Sequence, residues 1–414
     1  MINLLRAPRA LWLTMFLFFN IVAAIYISAT YELMGDVQSV RIDSFDSILP
    51  VAVYVIASYI LVLVVGFPIV EDHLRSARMN VFVKAPAGIV LIVLQLGFIA
   101  YVWATGLYVA GSTARGGDLV SYFWVLVPLD TLFLIYYAFY RQDRLFYPNL
   151  ALILFSNLQR GWAGVFVSIA FMEMARQMRA GRMTWPRVGG IALVTAILFP
   201  LLLIVKWQVR LAPAGISLVD TALQALSGLD FNGYMTLVSE ALVQLVGRWQ
   251  LVSNAIFVDQ SRPVITGMLE SGQGLMMWHE GIYGIIWDRI FNPGEQPPNL
   301  GFLLVQVLDP LNSDVSWNAN PSLVAWFVLF PAMIPLFVGY CLALMWVSLA
   351  IVRDLGGGQQ AYDMVWFACL MFILPGWIAA YITFLHSLIV FWAFHHLCWY
   401  FSRRGSLPVR YASP

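Results

Sequence analysis

Long apolar runs, most of them near the roughly 20 residues that a helix needs to cross a bilayer core, recur along almost the whole chain. They fall at 9–31, 48–70, 86–110, 119–140, 188–209, 323–351 and 362–385, with a shorter one at 387–402. Two weaker stretches, 146–157 and 161–178, read as a hairpin of a short helix and a longer one, turning at Asn157–Gly161. Charged residues make up 11% of the chain, against roughly 25% in a soluble domain. The chain therefore reads as an all-α polytopic membrane protein of about ten transmembrane helices, forming a single domain over 1–414.

Basic residues give the orientation. With the N terminus inside, the inner loops hold Arg6, Arg9, Arg75, Arg78, Lys84, Arg141, Arg144, Arg176, Arg179, Arg182, Arg187, Arg353, Arg403, Arg404 and Arg410, fifteen of the 23 Lys and Arg. The short outer loops hold Arg41 and Arg115. Both termini are expected in the cytoplasm. The first run, Leu11 to Tyr31, is long enough to span and lacks a small-residue cleavage site, so it reads as a helix rather than a leader. A net charge of +1 gives no support for nucleic-acid binding. The three cysteines lie inside apolar runs and supply neither a disulfide framework nor zinc spacing.

One connection is not short. From about Leu211 to Ser322, between spans seven and eight, the chain stays outside yet remains rich in Leu, Val, Ile, Trp and Phe. Gly233 to Asp259 reads as one long helix, with Leu237, Ala241, Leu245, Trp249 and Val252 at helical spacing and Glu240, Gln244, Arg248 and Asn254 on its other flank. A second segment, Gly272 to Phe291, stops at the turn signals Asn292-Pro293-Gly294 and Pro297-Pro298-Asn299. This loop is expected to lie on the membrane surface as a lid over an intramembrane cavity.

Six cations fall at or near the outer side, against the inner bias: Arg160, Lys206, Arg210, Arg248, Arg262 and Arg289. A cation beside a low-dielectric slab needs an anion or water, so the array points to an anionic, phosphorylated substrate. Arg248 follows Gly247, and its planar fork matches phosphate oxygens; snorkelling beside Trp249 is the competing explanation. Arg160 ends the short arm of the hairpin. Lys206 and Arg210 share one helical face, which also suits nonspecific headgroup binding. His279 and Glu280 form an adjacent pair that could activate a hydroxyl or simply be a polar surface pair. Asp130, in the middle of the fourth span, is read as a structural partner within the membrane. The tightest acidic pair of the first outer loop, Asp43 and Asp46, is not Asp-x-Asp and has no histidine near it. No metal and no other cofactor is expected.

Together, the multi-span frame, the Ser156–Gly161 turn, Arg248-Trp249-Gln250 with Ser253 on the first helix of a large outer loop, and Arg289-Ile290-Phe291-Asn292-Pro293 downstream resemble the O-antigen polymerase family, the oligosaccharide repeat-unit polymerases of bacterial envelopes, which are related to O-antigen ligases. The chain departs from that pattern in lacking a lysine after the proline-rich segment and in its tryptophan-rich loop. The resemblance implies a GT-C-like frame in the bacterial inner membrane and a metal-independent glycosyltransferase of O-antigen, capsule or exopolysaccharide synthesis. Its donor and acceptor would be undecaprenyl-pyrophosphate-linked oligosaccharides met at the periplasmic face. Arg160, Arg210, Arg248 and Arg289 would hold the pyrophosphate, and His279 with Glu280 would activate the acceptor hydroxyl. A chain-length regulator and a flippase of the same process are the protein partners implied. Three readings compete: a ligase, which differs in its acceptor; a lipid-linked sugar transporter or flippase, which predicts broken helices and functional weight on Asp130; and an acyltransferase using His395-His396.

Overall fold

The computed structural model describes residues 6–38, 40–42, 44–75, 86–109, 119–211, 230–291, 297–310 and 318–404. Their regular secondary structure is helical, apart from a single antiparallel bridge between Glu32 and Arg41. Helix α1 is Pro8–Thr30, and α2, Ile48–Tyr59, runs through a π-turn into α3, Phe67–Arg75. Next come α4 (Ala87–Thr105), α5 (Leu119–Leu126), α6 (Leu129–Tyr140), α7 (Phe146–Gln159), α8 (Gly164–Arg179) and α9 (Trp185–Leu211). The long connection supplies α10 (Phe231–Trp249), α11 (Val252–Gln260), α12 (Arg262–Glu270), α13 (Ile282–Phe291) and α14 (Leu300–Leu308). The chain ends with α15 (Leu323–Leu329), α16 (Ile334–Asp354), α17 (Gln359–Ala368) and α18 (Ile378–Arg404). Six helices among the described residues are long and apolar enough to cross a membrane, or seven if the bent pair α10–α11 is one span. The protein is a multi-pass helical membrane protein.

Four expectations change. Gly233–Asp259 is not one helix: the chain breaks after Trp249, and α11 leaves at 61° to α10. The long connection is not only a surface lid either, because Val252 to Val258 are all buried, with α11 packed against α1, α2 and α15. Helix α15, also buried along its whole length, is separate from the span that follows it, which starts at Pro331. Finally, the apolar stretch 362–402 divides at Leu374–Trp377, not after residue 385, because Pro375 and Gly376 (φ +78°) stop the helix there. The carbonyls at that stop have a use: Leu374 and Pro375 accept from the N–H groups of Leu323 and Ser322, each at 2.8 Å, so the end of one helix satisfies the start of α15.

At the end of the bundle carrying the basic loops, Arg9 on α1 makes two bonds to Glu71 on α3 (2.6 and 3.0 Å) and one to Asp363 on α17 (2.7 Å). Arg179 on α8 grips the same Asp363 with two bonds of 2.6 Å. Asp363 is fully buried. A lone carboxylate there would cost several kcal/mol, roughly, and two arginines supply the compensation. Four helices are thereby tied together at that end.

At the other end, the segment from Tyr31 to Ile42 doubles back. Leu33 N–H donates to Val40 O (3.0 Å) and Ile42 N–H to Tyr31 O (3.0 Å), making a short hairpin with Leu33 and Val37 buried. Its Gly35, at φ +75°, lies against Gly247 of α10, so a Cβ on Gly35 would stand 2.5 Å from Gly247 O. A Cβ on Gly247 would stand 2.7 Å from the Gly35 Cα. Both neighbours are backbone and neither can swing aside. Gly35→Ala and Gly247→Ala should each lower stability by about 1–3 kcal/mol. The measurement is thermal unfolding in detergent, followed by a thiol-reactive dye that reports exposure of the buried Cys341 and Cys369. Gly267→Ala in α12, which meets only open space, should leave the midpoint unchanged or higher.

Candidate functional site

The break between α10 and α11 organises the site. Gln250 is extended (φ −89°, ψ 147°), which frees the N–H groups of the next turn. One distant and one local side chain take up two of them. Leu251 N–H donates to Asn20 Oδ1 in the middle of α1 (2.8 Å), and Ser253 N–H donates to Gln250 Oε1 (2.9 Å). Asn20 satisfies its own amide hydrogens on Phe16 O (2.9 Å). The hairpin tip closes the other side, with Met34 N–H donating to Ser253 Oγ (3.0 Å) and Gln250 Nε2 to Met34 O (3.3 Å). Trp249 stacks on Phe16 at 5.3 Å and meets Phe19 edge-on at 5.4 Å. The break is therefore a fixed, capped corner.

Beside this corner stands Arg248. Its guanidinium lies 3.5 Å from Asp36 Oδ1, a long contact, and its side chain is 47% exposed while that of Asp36 is 8% exposed. Asp36 is held in turn, accepting from Asn320 N–H at 3.3 Å. Asn320 donates through Nδ2 to Arg248 O (3.4 Å), and Asn254 donates to Asn320 O (2.6 Å). Among the described residues the Oδ1 atoms of Asn254, Asn318 and Asn320 are buried without a partner. Such acceptors are costly unless something donates to them. Among the described residues the fork of Arg248 is engaged at one long contact, which leaves donors that can take an oxyanion.

The other predicted residues are deployed differently. Arg160 closes α7, as expected, but its side chain is 6% exposed. It makes two bonds to Asp130 (2.6 and 2.9 Å) and one to Ser156 O (3.2 Å), and lies 5.1 Å above the Phe98 ring. Asn157 adds a fourth bond, to Asp130 Oδ1 at 2.8 Å. The expected pyrophosphate ligand is thus already neutralised, and Asp130 is the structural partner the sequence suggested. His279 and Glu280 do not act as a pair: His279 is exposed beside Trp278, whereas Glu280 is 3% exposed, near the first turns of α14 and α18. One carboxyl oxygen of Glu280 has no partner. Burial pushes its pKa up to about 8, while the backbone N–H groups of Leu300 and Ala379 pull against that rise. Arg262 is exposed at the start of α12. The side chains of Lys206, Arg210 and Arg289 and the whole of Asp43 lie outside the described residues. His395 is buried against Tyr140 (2.6 Å), and His396 pairs with Asp354 (2.9 Å).

Asn20, Asp36, Asn318 and Asn320 are the residues that sequence reasoning passed over. Asn20 carried a signal, as the sole carboxamide in the first apolar run. Asp36, Asn318 and Asn320 carried none: Asp36 and Asn320 reach Arg248 only through the packing of segments distant in the chain. Comparison with family models, with curated proteins and with solved structures finds no match, so a function for this protein rests on its own geometry.

Two outcomes are expected. Arg160→Ala should strand Asp130 and lower stability by about 3 kcal/mol, and adding Asp130→Asn should restore much of it; thermal midpoints and membrane abundance of the single and double variants check this. Glu280 binds its proton up to about pH 8 in the folded protein but, at an ordinary value near 4.5, loses it much earlier when unfolded. Its contribution is therefore fully present below pH 4.5 and declines as pH rises through 8. Glu280→Gln should flatten the fall in melting temperature between pH 5 and 8, roughly the window this linkage covers.

Proposed function

We propose that this protein is a glycosyltransferase of the cell envelope that polymerises oligosaccharide units carried on a polyprenyl pyrophosphate. Support comes above all from Arg248: a half-exposed guanidinium beside a capped helix break, held among the described residues by one carboxylate at 3.5 Å. In such a transfer the acceptor hydroxyl attacks the anomeric carbon of the donor. The bond from that carbon to the pyrophosphate oxygen breaks, and negative charge builds on the leaving pyrophosphate. A fixed guanidinium aimed at that charge stabilises the transition state more than the ground state. Asp36 orients the fork. His279, exposed on the same outer connection, is the proposed acceptor of the hydroxyl proton; Glu280 is left out of this role because its carboxyl is buried.

The proposal entails an inner-membrane location, a periplasmic site and a GT-C-like frame with both termini in the cytoplasm. A ligase would use the same donor chemistry with a lipid A core as acceptor. The transporter reading gains from one observation, the broken pair α10–α11, since broken helices line transporter sites. Against it, the N–H groups freed at this break are taken by Asn20 and Gln250 and are not available to a ligand.

Detergent-solubilised protein given a synthetic polyprenyl-pyrophosphate oligosaccharide tests the proposal. A ladder of longer glycans with release of polyprenyl pyrophosphate is expected, falling about 10²–10³-fold in rate for Arg248→Ala at unchanged melting temperature. Covalently unchanged substrate, with translocation after reconstitution into vesicles, would replace it with the transporter reading. Transfer only to added lipid A core would make the protein a ligase.

A further inference from the structure

Helix α9 poses a separate problem. Its opening turns are apolar but stand away from the bundle: Ile191, Leu193, Val194, Ile197 and Leu198 are all exposed. At Gly189 and Gly190, a Cβ would meet nothing within 4 Å. An apolar helix exposed all round is a helix surrounded by lipid. Between α8 and α9 this leaves a groove of about 470 Å³, walled by Gly190, Ile191 and Val194 on one side and reached by Gln177 on the other. That volume falls within the usual range for small-molecule sites.

The groove has a charged rim. Arg182 and Arg187 border it at the end carrying the basic loops. Arg182 N–H donates to Gln177 O (3.0 Å), and the Arg187 guanidinium donates to Arg182 O, so the turn joining α8 to α9 is fixed with both cations on it. Neighbouring arginines have acids of their own, Arg176 on Glu173 and Arg179 on Asp363. Among the described residues no carboxylate pairs with Arg182 or Arg187. Two unneutralised cations above an apolar slot present the charge and the greasy surface of one class of molecule.

We propose that the groove between α8 and α9 holds an anionic phospholipid of the leaflet facing the basic loops, its phosphate at Arg182 and Arg187 and one acyl chain along Ile191 and Val194. Basic pockets between membrane helices on that side attract anionic headgroups. Lipid here would brace α9, which otherwise bonds to α10 through Tyr234 Oη on Ile197 O (3.0 Å). The site is independent of the transferase proposal, since Arg248 takes no part in it.

Native mass spectrometry of the full chain tests it, with phosphatidylglycerol and phosphatidylcholine of identical chains as probes. The expected result is a phosphatidylglycerol adduct roughly 10-fold or more tighter than the phosphatidylcholine adduct, with the preference abolished in Arg182→Gln/Arg187→Gln. Gly190→Leu, which fills the slot, should weaken both lipids at unchanged melting temperature. Glycerol phosphate, which has the anion without the chains, should not displace the bound lipid. Equal binding of the two lipids by the wild type, or a preference that survives the double substitution, would overturn the proposal.

Discussion

A helix break inside an apolar bundle leaves N–H groups that neither lipid nor apolar side chains can satisfy. In this protein Asn20 on α1 and the Gln250 side chain accept from the N–H groups of Leu251 and Ser253, and the Tyr31–Ile42 hairpin in turn holds the Gln250 and Ser253 side chains. Much else depends on that corner. It lets α11 turn into the core against α1, α2 and α15. It also brings Gly35 against Gly247 and so places Asp36 within reach of Arg248. The polar site is a consequence of the way the break is sealed.

Three groups of buried or half-buried arginines face the same cost of leaving water, and each is handled differently. Arg9 and Arg179 share Glu71 and Asp363 through short bonds, and Arg160 has a two-point grip on Asp130. Among the described residues Arg248 has a single ionic contact, at 3.5 Å, and nearly half its side chain is in the open. Saturated pairs of the first two kinds bind helices together. A cation left with unused donors is one that a ligand can still complete, and Arg248 is in that state.

Much of this frame was legible from hydrophobicity and charge. The apolar runs at 9–31, 48–70, 86–110 and 119–140 correspond to helical spans, and the α7–α8 hairpin turns where Asn157–Gly161 indicated. Boundaries failed where backbone geometry outweighed apolarity. Residues 323–351 form one apolar stretch in composition, yet Phe330 and Pro331 divide it. Trp249 and Val252 share a helical period across a corner that no periodicity marks. Within the site, Arg248 was visible as a scarce outer cation and Asp130 as a membrane carboxylate in need of a partner. That Arg160 was the partner, and that Glu280 turned inward from His279, depended on tertiary packing.

If a polyprenyl pyrophosphate binds at Arg248, a photoreactive analogue of it should mark the spot. After irradiation with the purified protein, labelled peptides are located by mass spectrometry, with Arg248→Gln as the control. Adducts are expected in the hairpin at residues 31–42 and around the α10–α11 corner, and they should be lost in the variant. Adducts confined to other segments, or labelling at the corner that the variant does not diminish, would rule out binding of the pyrophosphate by Arg248.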